Sequence, residues 1–307
     1  MKDKRSTMAK LVDFYLRHFN YHKRYDYEEN VRQLEQVKLN GEKEYHLPKR
    51  FKKNVSSFTY ANMKTYVFNG KTKSNNLIIY LYGGGYVSRP VKHQLKMIKK
   101  IIKKTDAKVI MPLYPLLPFH TFGECYDMLI ELYDMVLENN VDKNIILLGD
   151  SAGGGLSCGL CEYFIQHNIR MPDRVFLMSP AMDLSLTNPE IEEYQKRDPM
   201  SWIPLVKAWA KFWSGTEDNL TNYLVSPLYG EVKGFPPTNI YIATNDLLFP
   251  DGKLFADKLK ENGVDVYVTI GENLNHVWPA HPIPEAKKAI NEITKAINEL
   301  KTSEVKV

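Results

Sequence analysis

The chain has few cysteines: three in 307 residues, at positions 125, 158 and 161. An odd count without dense spacing argues against a disulfide framework and for a reducing compartment, so a cytoplasmic location is expected. Cys158 and Cys161 stand three apart on an expected helix, but no second Cys/His pair completes a set of four ligands. They are read as packing residues, and no metal is expected. No run approaches the roughly 18 apolar residues of a spanning helix, and no apolar core of a leader follows Met1-Lys-Asp-Lys-Arg-Ser6. Stable membrane insertion is therefore not expected. Charge of one sign is not in large excess: 41 Lys and Arg against 36 Asp and Glu leave +5. Lys99-Lys-Ile-Ile-Lys-Lys104 alternates with apolar residues as a solvated helix face does. No nucleic-acid motif, internal repeat or low-complexity segment is present.

What the chain does have is glycine in two telling places. Gly149-Asp-Ser-Ala-Gly-Gly154 follows the apolar run Asn144-Ile-Ile-Leu-Leu148. This is a G-x-S-x-G pattern at a strand-to-helix turn, where small flanking residues let the chain cross itself and lift a serine hydroxyl out of the sheet. Ser151 is the expected nucleophile, with the helix N-terminus behind it favouring negative charge. Upstream, Leu77-Ile-Ile-Tyr-Leu-Tyr-Gly-Gly-Gly-Tyr86 ends a strand in three glycines. The run fits neither G-x-G-x-x-G nor the phosphate-loop pattern. It fits a loop whose backbone N–H groups meet a developing oxyanion. Gly83 and Gly84 are the expected donors, with Ala152 as the third.

Acyl transfer by serine needs a base and an acid, found in the order Ser, Asp or Glu, His. Of eight histidines only His276 and His281 lie far enough downstream with acids between. His276 follows the strand-like Val266-Tyr-Val-Thr-Ile270 and a loop, and is expected to be the base. His281, between prolines 279 and 282, is expected to lie past the site. The first carboxylate beyond the strand Asn239-Ile-Tyr-Ile-Ala243 is Asp246, which would hold the imidazole in one tautomer. Asp251 is the nearest competitor, though it also suits a helix N-cap. Asp183 is a further competitor.

Strands are expected at Leu77–Tyr82, Lys108–Leu113, Ile145–Leu148, Val175–Met178, Asn239–Ala243 and Val266–Ile270. Helices are expected near Lys92–Lys104, Phe122–Glu138, Gly154–His167, Gly252–Asn262 and Pro284–Leu300. Near-continuous apolar strands alternating with helices predict a mostly parallel sheet covered on both faces, an α/β doubly wound fold. Ser151, Gly83, Asp246 and His276 then fall at C-terminal strand ends, where such sheets bind ligands. Residues 1–55, rich in Lys, Glu, Tyr and Arg, are expected to form part of a helical cap over a catalytic domain of 56–307. An insertion at about 184–222 carries three of the four tryptophans and is expected to complete that cap. Trp202, Trp209 and Trp213 are candidate pocket residues, with Tyr82, Tyr86 and Val277 around the motifs.

These motifs resemble the hormone-sensitive-lipase-like group of α/β-hydrolases, the bacterial esterase branch with a G-D-S-A-G elbow. The resemblance runs from about Asn76 to about Pro279. Tyr82-Gly83-Gly84-Gly85 aligns with that family's H-G-G-G loop, and Tyr114-Pro-Leu-Leu-Pro-Phe-His120 with its Y-R-L-A-P-E-H segment. Asp246-Leu-Leu-Phe-Pro-Asp-Gly252 aligns with D-P-L-R-D-E-G, and His276-Val-Trp278 with H-G-F. The resemblance implies an α/β-hydrolase fold, a Ser151–Asp246–His276 triad and a role for the N-terminal helices in the cap. It also implies hydrolysis of short- to medium-chain acyl esters with no cofactor. Tyr82 departs from the family's histidine, Phe119 from a glutamate, Pro250 from an aspartate and Val277 from a glycine. Two other readings stay open: a small-amide or peptide hydrolase using the same groups, and a non-catalytic ligand-binding protein on the same scaffold. A small ester is the expected partner, and the oligomeric state is left open.

Overall fold

A computed structural model describes residues 3–19 and 24–300; Met1, Lys2, the segment 20–23 with His22, and the tail 301–307 lie outside them. One eight-stranded sheet organises the chain: β1 Val55–Tyr60, β2 Met63–Phe68, β3 Asn76–Leu81, β4 Lys108–Pro112, β5 Asn144–Asp150, β6 Arg174–Met178, β7 Thr238–Asn245 and β8 Val266–Asn275. The strand order is β1-β2-β4-β3-β5-β6-β7-β8. Pairing is antiparallel from β1 through β2 to β4 and parallel from there to β8.

The six expected strands are β3 to β8. Their apolar runs follow from burial: β5 is buried along its whole length, so it must be covered on both faces. Edge strand β8 instead mixes partly buried and exposed residues along its first five positions, none of them fully buried. The hairpin β1–β2 was not among the expected strands. It turns through Ala61 and Asn62 at φ 46° and 57°, both left-handed, in a tight two-residue turn. Such turns are announced in sequence by glycine, and alanine conceals this one.

Around the sheet lie α3 Lys92–Thr105, α4 Phe122–Asn139, α5 Ala152–His167, α8 Phe249–Glu261 and α9 Pro284–Asn298. Helix α3 packs on α9, and α5 lies against β3, β5 and β6. Twelve of the 16 residues of α5 are buried, so it is the central helix of the core. The lysines of α3 point outward while Leu95, Met97, Ile98 and Ile101 are buried, as the spacing predicts. All three cysteines are buried and unpaired, and Cys158 and Cys161 face the core from α5. Among the described residues no cluster of three or more His, Cys, Asp or Glu could hold a metal ion. Among them, too, no helix is long and apolar enough to cross a membrane.

Two helices precede the sheet, α1 Thr7–His18 and α2 Tyr27–Leu39, and two occupy the insertion, α6 Ile191–Arg197 and α7 Ile203–Ser214. Ser6 and Asp26 cap the first pair by accepting from Ala9 and Glu29 N–H. Helix α2 packs on α7, whereas α1 rests on α9 and β8. The N-terminal segment is thus divided: one helix joins the insertion, the other joins the body of the sheet.

Candidate active site

Strand β5 passes into α5 through Ser151, whose backbone is at φ 53° and ψ −122°. That conformation is strained for any residue with a Cβ, by about 1–3 kcal/mol. Ser151 N–H donates to Met178 O at 2.8 Å, tying the turn to β6. A Cβ on Gly149 would collide with the Gly153 carbonyl, and one on Gly153 with the Leu81 carbonyl of β3. Both glycines are therefore steric requirements of the crossing.

Strand register delivers the other groups. β7 and β8 run parallel with Asn245 opposite Asn275, so the next residues, Asp246 and His276, emerge side by side. His276 Nε2 lies 2.9 Å from Ser151 Oγ, and Nδ1 lies 2.9 Å from Asp246 Oδ2. Asp246 is fully buried and also accepts from Leu248 N–H at 3.0 Å. Asp251 is buried elsewhere, accepting from Asn188 Nδ2 at 2.7 Å, and Asp183 accepts from Ser185 N–H and Tyr229. Asp251 is not an N-cap either, because α8 already begins at Phe249 and takes Asp251 into its first turn.

Burial alone would push the His276 imidazole down. The carboxylate of Asp246, through charge and hydrogen bond, with Asp198 and Asp150 behind it, outweighs this and holds it at about 9, against an ordinary 6.5. A general base works in its neutral form, so a reaction that uses His276 as its base slows as pH drops through that value. We expect kcat/KM to rise through an apparent pKa above 6.5, and a pH–rate profile with a midpoint at or below 6.5 would contradict this geometry. The stability linkage has the opposite sense: the protonated pair stabilises the fold fully below the unfolded value of 6.5, and this is lost as pH rises toward about 9.

The glycine loop is placed by the β3–β5 register, which sets Leu81 opposite Gly149 and brings Gly83 against Ser151. Gly84 and Gly85 adopt φ 148° and 62°, open only to glycine at low cost. The loop is braced through Asp150, whose carboxylate accepts from Tyr80 OH at 2.6 Å and Gln94 Nε2 at 2.7 Å. Gln94 also donates to Gly83 O at 3.1 Å. Burial raises the Asp150 carboxyl, opposed by these donors and by a backbone hydrogen bond from Gly83. Gly83 N–H thus serves the brace, while Gly84 and Ala152 N–H have no hydrogen-bond partner among the described residues.

Tyr82, in place of the family's histidine, is buried. Its ring stacks on Tyr114 at 4.5 Å, its hydroxyl accepts from Arg89 Nη1 at 2.9 Å, and its carbonyl accepts from Tyr114 OH at 2.5 Å. Val277, in place of a glycine, stands at φ 53°, a strained position for a β-branched residue, held by Val277 N–H donating to Ser179 Oγ at 3.0 Å.

A cavity of about 750 Å³ opens over Ser151 and His276. Trp202, Trp209 and Val277 line it, as do Gly83 and Gly84. Tyr82, Tyr86 and Trp213 do not: Tyr86 and Trp213 stack on each other at 4.2 Å in the core. Aromatic residues near a motif pack the body as readily as they face a ligand, and single-sequence spacing does not separate the two. His281 lines the cavity rather than lying past it, with its ring 6.1 Å from that of His93. Tyr25, Asn30 and Gln33 from α2 and its approach also reach the cavity, as do Met200 and Leu205. No motif marked these, nor Gln94, Arg89 and Asp198, because their roles arise only from contacts distant in sequence.

The chain matches a family model described as alpha/beta hydrolase fold over residues 78–300. It is 28% identical over 232 residues to an esterase of Acinetobacter venetianus, covering 73% of this chain and 75% of that protein. Three other curated relatives are matched over 59–66% of their own length. Among solved structures, a Staphylococcus aureus protein superposes with a TM-score of 0.86 at 23% identity, covering 95% of this chain and 100% of that one. An esterase from the bacterial hormone-sensitive lipase family gives 0.79 at 23% identity, over 97% and 99% of the two chains. Together with the parallel sheet and its strand-end serine, the match over 78–300 places the chain in the α/β-hydrolase fold family.

Proposed function

We propose that this protein hydrolyses carboxylic esters with short- to medium-chain acyl groups through a covalent acyl-enzyme. The observation that carries the reading is the relay Ser151 Oγ–His276–Asp246, with both hydrogen bonds at 2.9 Å, open to a cavity of about 750 Å³. Ser151 Oγ attacks the ester carbonyl while His276 Nε2 takes its proton. The carbonyl oxygen becomes an oxyanion, met by the unpartnered N–H groups of Gly84, in the loop after β3, and of Ala152, at the N-terminus of α5, with Gly83 completing the loop. Collapse of the intermediate expels the alkoxide, which takes the proton from His276 and leaves as alcohol. Water, deprotonated by His276, then attacks the acyl carbon, and Ser151 recovers its proton as the carboxylic acid departs. Asp246 keeps Nδ1–H in place and offsets the imidazolium charge at each stage.

Helix α2 with its approach and the insertion helix α7 act as the cap, and Trp202, Trp209 and Leu205 form an apolar wall for the acyl or alcohol part. The relatives named as esterases support this substrate class. Hydrolysis of p-nitrophenyl esters from acetate to palmitate tests it. We expect turnover of the short and medium esters with a steep loss at the long end, since a cavity of this size takes a limited chain. Absence of Ser151-dependent turnover across the series would sink the reading.

A further inference from the structure

Asp198 belongs to none of the recognised motifs. It sits between α6 and α7, and it is fully buried. Its carboxylate makes three backbone contacts that span two parts of the site. Oδ1 accepts from Met200 N–H at 2.6 Å and Ser201 N–H at 3.0 Å. Oδ2 accepts from Leu247 N–H at 2.8 Å, one residue beyond Asp246. The Asp198 carbonyl accepts from Arg24 Nη2 at 2.5 Å, and Trp202 Nε1–H donates to Tyr25 O at 2.9 Å. A single carboxylate therefore clamps the wall Met200–Ser201–Trp202 and the loop that carries the acid, and the segment before α2 is tied to the same place.

Burying a carboxylate costs several kcal/mol unless hydrogen bonds compensate it, and an apolar residue would be the cheaper way merely to fill this space. We propose that Asp198 is a positioning residue that holds the Asp246 loop against His276 and couples the substrate-facing wall to the orientation of the acid. The inference rests on the hydrolase reading above. Asp198 adds negative charge to a cluster in which Asp246 and Asp150 also face the imidazole, while His93 and His281 line the same cavity. Burial and the neighbouring Asp246 raise the Asp198 carboxyl, as expected for a carboxylate held beside another. Its field and that of Asp246 act on His276 in the same direction.

Asp198→Asn tests this, because the amide keeps the volume but removes the charge and cannot accept from all three N–H groups. On the alkaline plateau kcat/KM is expected to fall about tenfold, the scale of losing one hydrogen bond to a buried charge. The acid limb of the profile should meanwhile move toward lower pH by up to about one unit, since one of the carboxylates holding the imidazole protonated is gone. The NMR titration of the His276 ring should move the same way. A variant that loses only thermal stability or raises only KM, with the His276 titration unmoved, would overturn the proposal and leave Asp198 as a cap anchor. If the asparagine variant does not fold, Asp198→Ser gives the same comparison, because its hydroxyl can still accept from the wall. The ring titration needs no substrate. Absence of ester turnover by the wild type would count against the hydrolase reading, while the titration would still decide the role of Asp198.

Discussion

Ser151→Ala is expected to lower kcat on a p-nitrophenyl ester by about 10⁴- to 10⁶-fold, with the fold intact. Alanine keeps the Cβ and backbone that the elbow already accommodates, so nothing in the packing changes. What is lost is the Oγ that stands 2.9 Å from His276 Nε2. Residual turnover would come from the oxyanion donors and from binding alone. His276→Ala should cost a similar factor. The double variant should be little worse than either single one, because the two groups act as a unit. Multiplicative losses would mean that the serine and histidine contribute independently, against the relay as drawn. Fluorophosphonate labelling provides a second readout, since it needs an activated serine but no ester.

The second large effect belongs to a residue that touches no substrate. Gly153→Ala is expected to destabilise the protein by about 3 kcal/mol or more, or to prevent folding. Its Cβ would overlap the Leu81 carbonyl and approach Tyr82 O at 2.7 Å. Backbone atoms of a central strand, paired on both sides, cannot retreat as a flexible side chain would. Thermal melts and soluble yield measure this, and a melting temperature equal to wild type would show that the α5–β3 approach is looser than described. Gly123→Ala is the control, because nothing lies within 4 Å of the Cβ it would add.

The legible part of the site was the part carried by short, contiguous chemistry. A strand, a strained turn and a helix must follow one another in sequence, so Gly149–Gly154 announced Ser151. The glycine run marks its loop in the same way, but it does not reveal that the Gly83 N–H is engaged by Asp150 while that of Gly84 is not. Asp246 and His276 are legible because each follows an apolar strand, but sequence does not separate Asp246 from Asp251; the Asn245–Asn275 register does, by setting Asp246 beside His276. The pocket is less legible. Tyr82, Tyr86 and Trp213 are as aromatic and as near the motifs as Trp202 and Trp209, yet they point into the body. Side-chain direction there depends on how α7 lies over the glycine loop, where the Trp209 ring occupies the space beside Gly85.

Local sequence specifies the strand–helix alternation, the buried parallel core and the chain order of Ser151, Asp246 and His276. Those properties depend on local periodicity, on glycine where a Cβ cannot fit, and on residues placed immediately after strands. Which carboxylate meets His276, which N–H groups remain free, that His281 borders the cavity and that Asp198 joins its wall to the loop after β7 arise only in the folded chain. Each of these depends on contacts between residues that are far apart in the chain. Such contacts are set by strand register and by the packing of α2 on α7, and no local stretch of sequence encodes either one alone.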